Sequence, residues 1–533
     1  MTSIRMAAST LALLAMAGVA QADSISVRLS FNEARSGLEF TPIHAEVGSF
    51  AVTPNVRQGA EGEQWRVVAK DANGRILHEV AVNNGLKRHV EVFNPKTGAI
   101  DLSDTVRQPN GVFEVSLPYD KQTVSVEVLQ KPANGSRTQL AAATPLAHFD
   151  RAALDKVIQA SKGAQSRSAL AAGATATTIF SSGTAGSKMD YVFVGDGYTA
   201  AEMGKWQADA QKVINGFLAD PLFNANKNSL NVRRVDVASN QSGVDEPNKG
   251  IYKDTAMDGA FDCYNIDRLL CVNSTKVYNI VGSVLAPNER DVIIVISNST
   301  RYGGSGGEIA TLSMADQSIE IALHEIGHTA FALADEYDYG SCDTRAEPTE
   351  QNVSMNGSRS VKWGSRIAAS TAVPTGLGVY ANGTVGAFQG AQYCATGKYR
   401  PTENSRMRTL GYPWHVVNEA AAQATFAKYG ATGVTQIGTL ANGGAAIAPS
   451  ASPGYVQAGA GVFTLQLNGP GGTDFDLYLY KWSGSAWVKV AASERQTSAE
   501  SIGYNGTAGY YYAQVKSYSG AGSYTLTYNF PKP

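Results

Sequence analysis

The sequence predicts a multidomain α+β protein: an N-terminal β-sandwich, a central α/β unit and a small C-terminal β-sandwich. The chain has 533 residues, enough for three or four domains. Its flanks read as short alternating strands, while its middle alternates strands with helical stretches. The 54 Gly and 24 Tyr suit β-rich, turn-rich parts.

The N-terminal 22 residues stand apart from these domains. Arg5 precedes an apolar run from Ala7 to Ala20, and Ala20-Gln21-Ala22 is a small-residue cleavage site. This pattern predicts a signal peptide over residues 1–22 and a secreted or periplasmic product. The run is shorter than the roughly 20 residues that span a bilayer, so no membrane insertion is expected. The 44 Lys+Arg nearly balance 46 Asp+Glu, for a net charge of −2. Nucleic-acid binding needs a basic surface, so nucleic acid is excluded as a partner. A monomer is expected.

Residues 23–150 form the predicted N-terminal β-sandwich domain. Ser24–Phe31 and Gln122–Val128 alternate apolar and polar residues, as half-buried strands do. Asn73-Gly74, Asn84-Gly85, Asn110-Gly111 and Asn134-Gly135 are tight-turn signals. His44, His78 and His89 are isolated in sequence, which favours surface or satisfied polar roles over metal binding. Residues 151–185 read as a short helix and then an Ala/Ser/Gly/Thr linker.

Residues 186–432 form the central unit. Met189–Val194, Leu230–Val237 and Asp291–Ile296 are its strands. Thr199 and Glu202 are spaced as a capping box for a helix reaching about Ala219. Two more helices are expected near Ser318–Ala334 and Val416–Tyr429. Residues 433–453 read as a second linker, and 454–533 as the C-terminal β-sandwich domain. Its strands are Val462–Leu467, Phe475–Tyr480 and Tyr510–Val515. Asp474 and Asp476 are candidates for a structural Ca2+, with a solvated pair as the alternative. The four cysteines fit an oxidising compartment. Cys263 with Cys271 and Cys342 with Cys394 are the expected disulfides, although four cysteines permit three connectivities.

The residues that carry chemistry are His324-Glu325-Ile326-Gly327-His328. On a helix, positions i and i+4 share a face, so both imidazoles can reach one metal ion. Neutral imidazoles suit Zn2+ and leave a coordination position for water. Glu325 can then take the proton from that water as general base. Only 7 His occur in the chain, which makes a chance match improbable. The third ligand is open between Asp335 and Glu336, with Asp335 preferred. A straight helix would put Asp335 roughly 10 Å beyond His328. Either the helix breaks, between Gly327 and Ala332, or Asp335 is not the ligand.

Further stretches carry a resemblance. With the motif and Leu333–Tyr337, they are Gly195–Thr199, Ser239–Gly243, Tyr302–Gly307, Tyr399–Pro401 and Glu403–Arg408. Over roughly residues 186–430 the chain resembles the IgA-peptidase family of secreted zinc metallopeptidases. The resemblance implies a metzincin-like fold, one Zn2+ per chain and a polypeptide substrate; immunoglobulin specificity is not implied. It also implies that Met407 is the methionine of the turn beneath the metal, with core packing as the alternative. Gly304, Gly306 and Gly307, with the strand Glu308–Leu312, would form the edge that pairs with substrate backbone. Tyr412 and His415 are candidates to stabilise an oxyanion, with surface positions equally open. The C-terminal module, through Asp474–Leu479, is similar to the pre-peptidase C-terminal type of β-domain.

The function expected is that of a secreted zinc endopeptidase. Zinc-dependent amide hydrolysis of small molecules or cell wall is a second enzymatic reading. A rival from another class is a secreted adhesin or glycan-binding protein with a non-catalytic central scaffold.

Overall fold

The computed structural model describes residues 24–530, except 36, 49–63, 120–121, 131–143, 184, 186–187, 308, 340–341, 430–433, 460, 471 and 495–496. The signal-peptide reading and the Asn134-Gly135 turn lie outside the described residues. The protein is multidomain, with many β-sheets and few helices.

Alternating apolar residues build the N-terminal part. Strand β1 (Ser24–Ala34) lies between β2 (Gly37–Gly48) and β7 (Asn110–Pro118), antiparallel to both. Strand β3 (Gln64–Lys70) lies between β4 (Ile76–Asn83) and β8 (Ser125–Gln130), with β9 (Ala147–Asp150) beyond β8. Ile25, Val27 and Leu29 of one sheet share a core with Trp65, Val67 and Val128 of the other. This is the sandwich that the alternation predicts.

A hairpin of β5 (Lys87–Phe93) and β6 (Ile100–Arg107) belongs to neither sheet. The Asn84-Gly85 turn forms, with Lys87 N–H donating to Asn84 O at 3.3 Å, and leads from β4 into β5. The Asn110-Gly111 turn is corrected, because these residues open β7, paired with β1. Packing explains both glycines. A Cβ at Gly85 or Gly111 would stand 2.4 or 2.6 Å from the Phe31 ring.

The expected linker at 151–185 is also corrected. Its first part is helix α1 (Arg151–Ala172), opened by the Asp150 carboxylate, which accepts the Ala153 N–H at 2.7 Å. Leu154 and Ile158 join the sandwich core. Its second part, β10 (Thr175–Ser181), is an edge strand of the central sheet. Its small residues resemble a linker, but its three Thr and one Ile suit a pleated edge.

The central sheet has the order β10-β12-β11-β13-β15-β14. Here β11 is Met189–Asp196, β12 is Leu230–Asp236, β13 is Val292–Ser297, β14 is Gly304–Ser305 and β15 is Ala310–Ser313. The four inner strands are parallel and the two outer ones antiparallel. Every residue of β11 and β13 is buried, as expected for strands covered on both faces. The Thr199–Glu202 capping box forms, opening a single 3-10 turn that runs into α2 (Met203–Ala219). Helix α3 (Ser274–Gly282) covers one face with Val277 and Val281 against Val192 and Val295. Helices α4 (Ser318–Phe331) and α5 (His415–Tyr429) pack on the other, around Phe193, Ile294, Ile326, Phe331 and Phe426. Both expected disulfides form, Cys263 to Cys271 and Cys342 to Cys394. Each is worth ~2–4 kcal/mol in a typical case.

The C-terminal part packs two sheets. One has the strand order 434–440, 522–529, 461–468, 499–506; the other has 445–448, 509–519, 474–482, 487–493. The expected linker at 433–453 is thus corrected, because it supplies one strand to each sheet. The strand at 434–440 leaves Ile437 66% exposed and buries Leu440, so it lacks a clear apolar face.

The N-terminal sandwich docks on the central unit through buried charge. Glu114 of β7 accepts from Arg28 Nε at 3.2 Å and Arg290 Nη2 at 3.2 Å. Arg28 also donates to Asn279 Oδ1 and Tyr278 O on α3. Burial pushes the Glu114 pKa up, but the Arg290 and Arg28 charges override it and hold the carboxyl at about 2. Glu114→Ala takes the carboxylate from buried Arg28 and leaves buried Arg290 with Glu46 alone, at 3.4 Å, so we expect it to cost about 3–5 kcal/mol in denaturant unfolding. The depressed pKa fixes the sign with pH. The stabilisation is present above about pH 4.5, the ordinary value, and is lost as pH falls towards about 2. The Glu114→Ala variant should lose this part of the acid sensitivity of the urea midpoint.

Candidate metal centre

The site begins with a helix and its end. Ile321, Ala322, Leu323 and Ile326 bury one side of α4. The i, i+4 spacing then stacks His324 and His328, with ring centroids 4.7 Å apart. The helix ends at Phe331, and Ala332 takes the left-handed conformation with φ 52° and ψ 42°. This end lies inside the interval expected. A non-glycine residue there costs roughly 1–2 kcal/mol. The reversal brings Asp335 under the imidazoles. Its Oδ1 lies 3.3 Å from His324 Nε2 and 3.2 Å from His328 Nε2.

The hydrogen bonds of the imidazoles define what the pocket accepts. His324 Nδ1 donates to Arg406 O at 2.9 Å, and His328 Nδ1 donates to Leu333 O at 2.7 Å. A carbonyl only accepts, so each Nδ1 carries a proton, and each ring, when neutral as a metal ligand must be, turns a lone pair inward at Nε2. These two nitrogens are 3.0 Å apart. Asp335 Oδ1 is buried with no hydrogen-bond partner. Glu91 Oε2, from β5, is 3.1 Å from His324 Nε2. One ligand atom from each of Glu91, His324, His328 and Asp335 lies within 4.8 Å of the others. Converging acceptors of this kind fit a cation, and nitrogen–carboxylate donor sets suit zinc.

The field of the carboxylates points the same way. Burial lowers the His328 pKa, yet the Asp335 charge overrides burial and pushes it up to about 9. Burial raises Asp335, but His328 and His324 hold it well below the ordinary carboxylate range. Surrounding hydroxyls fix the acceptors: Tyr393 donates to Asp335 Oδ2 at 2.7 Å, and Tyr337 donates to Glu91 Oε1.

The other expected residues fall as follows. Glu325 lies beside the two His and lines a cavity of about 200 Å³ together with Gly306, Gly307, Arg88 and Tyr393. Burial and the Glu91 charge push its pKa up to about 7. Gly306 has no room for a side chain, since a Cβ would stand 1.7 Å from Glu325 Oε2. Gly304 is corrected as an open edge. It pairs with Leu312 on one side, and its carbonyl accepts from Leu270 N–H on the other. The strand expected at Glu308–Leu312 is corrected as an edge in its described part, because β15 lies inside the sheet between β13 and β14; Glu308 lies outside the described residues. Met407 is fully buried beneath α4, and a Cβ at Gly327 would stand 2.5 Å from its Sδ. Tyr412 is 38% exposed, and His415 packs near Gly383; neither is among the residues lining the cavity. Asp474 and Asp476 join no group of three potential ligands among the described residues.

Glu336 faces away from the imidazoles. It accepts from Asn352 and Asn418 through Oε1 and from Ser405 through Oε2. It thereby ties the returning chain to the segment carrying Met407.

Sequence reasoning missed Glu91. His89 has the satisfied polar role expected and is no member of the metal-ligating group, but it lies at the site: its Nε2 is 3.0 Å from the Tyr337 hydroxyl and 3.9 Å from Asp335 Oδ2. The available signal was two titratable residues at alternate positions of one short strand, which point the same way.

The parallel-stranded α/β unit thus carries two inward His, the Asp335 carboxylate and an adjacent Glu, with the Glu91 carboxylate of β5 beside them, in an arrangement that could hold a metal ion. The comparison with known families agrees: residues 177–382 match the family model described as IgA Peptidase M64. The match includes His324, Glu325, His328 and Asp335 and excludes Glu91 and Met407. Two solved structures show likeness to under a fifth of the chain. One is the Yersinia pseudotuberculosis-derived mitogen, at 16% identity over 19% of this chain and 86% of that one, TM-score 0.16. The other is the pre-peptidase C-terminal domain of collagenase from Bacillus anthracis, at 19% identity over 18% and 89%, TM-score 0.16.

The neighbouring carboxylates should separate cleanly on mutation. Asp335→Ala should lose zinc by elemental analysis, with affinity falling at least ~10-fold. Glu336→Ala should keep its zinc and lose about 1–3 kcal/mol of stability, from stranding Asn352, Asn418 and Ser405. The reverse pattern would make Glu336 the ligand.

Proposed function

We propose that the chain is a secreted zinc-dependent endopeptidase, with His324, His328 and Asp335 holding the metal in a metzincin-like domain. The observation that carries this reading is the convergence of two inward Nε2 lone pairs on the orphaned Asp335 Oδ1, with Glu325 beside them on a cavity. A bound zinc ion supplies Lewis acidity towards water and the scissile carbonyl.

Glu325 holds and moves the proton. Its raised pKa, about 7, lets it accept a proton from water and return it to the leaving amine near neutral pH. Gly306 and Gly307 keep the cavity wall low beside Glu325, which suits close approach of an extended backbone. Tyr393 orients Asp335 through its hydroxyl. Gly327 lets Met407 support the helix directly beneath the two His.

The reading includes a signal peptide at 1–22, supported by two disulfides of the kind that form in oxidising compartments. No helix among the described residues is long and apolar enough to cross a membrane. We place the first domain boundary near Gly173, because α1 packs on the sandwich, and the second near residue 434. The adhesin reading draws on Tyr455, Trp482 and Tyr510, which are 36–42% exposed on the C-terminal module. It concerns that module and leaves Glu325 without a role.

Glu325→Gln should keep one zinc per chain and the fold while lowering peptide hydrolysis by ~10²–10⁴-fold. Casein hydrolysis by the unaltered protein should stop with a chelator and return with zinc. Full turnover in the metal-loaded Gln variant would remove Glu325 from the proton step.

A further inference from the structure

We propose that Glu91 is a fourth metal ligand, supplied by the N-terminal part, and that the β5–β6 hairpin holds the peptidase in a latent form until it withdraws. This rests on the zinc-peptidase reading above and adds the regulation of the same site.

The first argument is coordination. Catalytic zinc sites use three protein ligands and keep one position open, whereas four protein ligands close a site. His324, His328 and Asp335 supply three donors. Glu91 Oε2 is the fourth atom of the same cluster, 3.1 Å from His324 Nε2. The carboxylate is 5% exposed and aimed inward, with its other oxygen accepting from Tyr337. A second carboxylate on the ion also lowers the net positive charge that polarises a substrate.

The second argument is occlusion. Three residues before Glu91, Arg88 Nη2 donates to Gly306 O at 2.6 Å and to Ser305 Oγ at 3.0 Å. The hairpin thus caps the carbonyl that an extended substrate backbone would meet beside Glu325. Two residues after Glu91, the Phe93 ring stands edge-on to His324, centroids 5.0 Å apart. One strand therefore covers the ligand position, the backbone edge and a ligand face together.

The third argument is the build of the hairpin. It pairs with neither sandwich sheet, so it can leave without unravelling either. Its seat combines two small apolar clusters, Phe93 and Ile100 against Ile321, Tyr337 and Leu410, and Val90 and Val92 against Leu269, with polar tethers. Arg268 donates to Phe93 O at 2.8 Å and to Asp101 at 2.9 Å, and Leu410 N–H donates to Gly98 O at 2.9 Å. The seat is specific, and it is far smaller than the sandwich core.

The test uses the full chain loaded with Co2+, whose visible bands report the ligand set, and acetohydroxamate, which binds only where a position is open. The unaltered protein should respond weakly. Glu91→Ala should keep one metal per chain, change its cobalt bands, and respond to acetohydroxamate at least ~10-fold more tightly, with peptide turnover rising at least ~10-fold. Glu91→Gln keeps the bulk and should shift the same way; it decides the matter if the Ala variant does not fold. Unchanged cobalt bands in both variants, or an equally strong acetohydroxamate response in the unaltered protein, would overturn the proposal. So would loss of metal and turnover together, which would make Glu91 a permanent ligand. If the unaltered protein binds no metal at all, the zinc-peptidase reading itself fails, and the two failures are thereby told apart.

Discussion

Two imidazole nitrogens 3.0 Å apart, each with its Nδ1 proton committed to a backbone carbonyl, repel one another unless a proton or a metal cation lies between them. Two carboxylates brought to the same buried point make the requirement stronger. Burying such a set with nothing to balance it is costly, since desolvated acceptors need a donor or a cation. Much of the surrounding structure serves this one point. The left-handed turn at Ala332 returns Asp335 to it, Tyr393 and Tyr337 hold the carboxylates, and Gly327 admits Met407 beneath it. Glu336, one residue from Asp335, locks the returning chain to the Met407 segment through three buried donors.

What was legible in the sequence was local. The i, i+4 pair of His needs only a helix to become a site, and the apolar run before it specifies that helix. The Thr199–Glu202 cap and the all-apolar strands of the central sheet are local in the same sense. The need for a break, with Asp335 as the ligand, followed from helix rise alone, and the break came where Asp335 could return. What was not legible depends on partners far along the chain. Gly111 looks like a turn residue but lies in a strand and answers to the Phe31 ring, and no neighbour in sequence announces it. The strands at 175–181, 434–440 and 445–448 read as linkers because pairing, more than an apolar face, holds them.

Glu91 is the sharpest case of this divide. Its strand is unremarkable in sequence, yet it meets His324 across a long separation because the whole N-terminal sandwich docks beside the central sheet. That docking runs through Arg28, Glu114 and Arg290, a buried charge cluster with its own cost and its own pH dependence. The position of a carboxylate at the candidate metal site is therefore coupled to an interface formed by different residues. A chemistry-bearing helix can be read in isolation, whereas the state of its site depends on the neighbouring domain.

On the proposed function, one cation sits among these four acceptors in the full-length chain. Anomalous diffraction from a crystal of zinc-loaded protein, collected on both sides of the zinc edge, would locate it. A single peak is expected within about 2.0–2.2 Å of His324 Nε2, His328 Nε2, Asp335 Oδ1 and Glu91 Oε2. A peak elsewhere, or none among these atoms at full zinc occupancy, would contradict it.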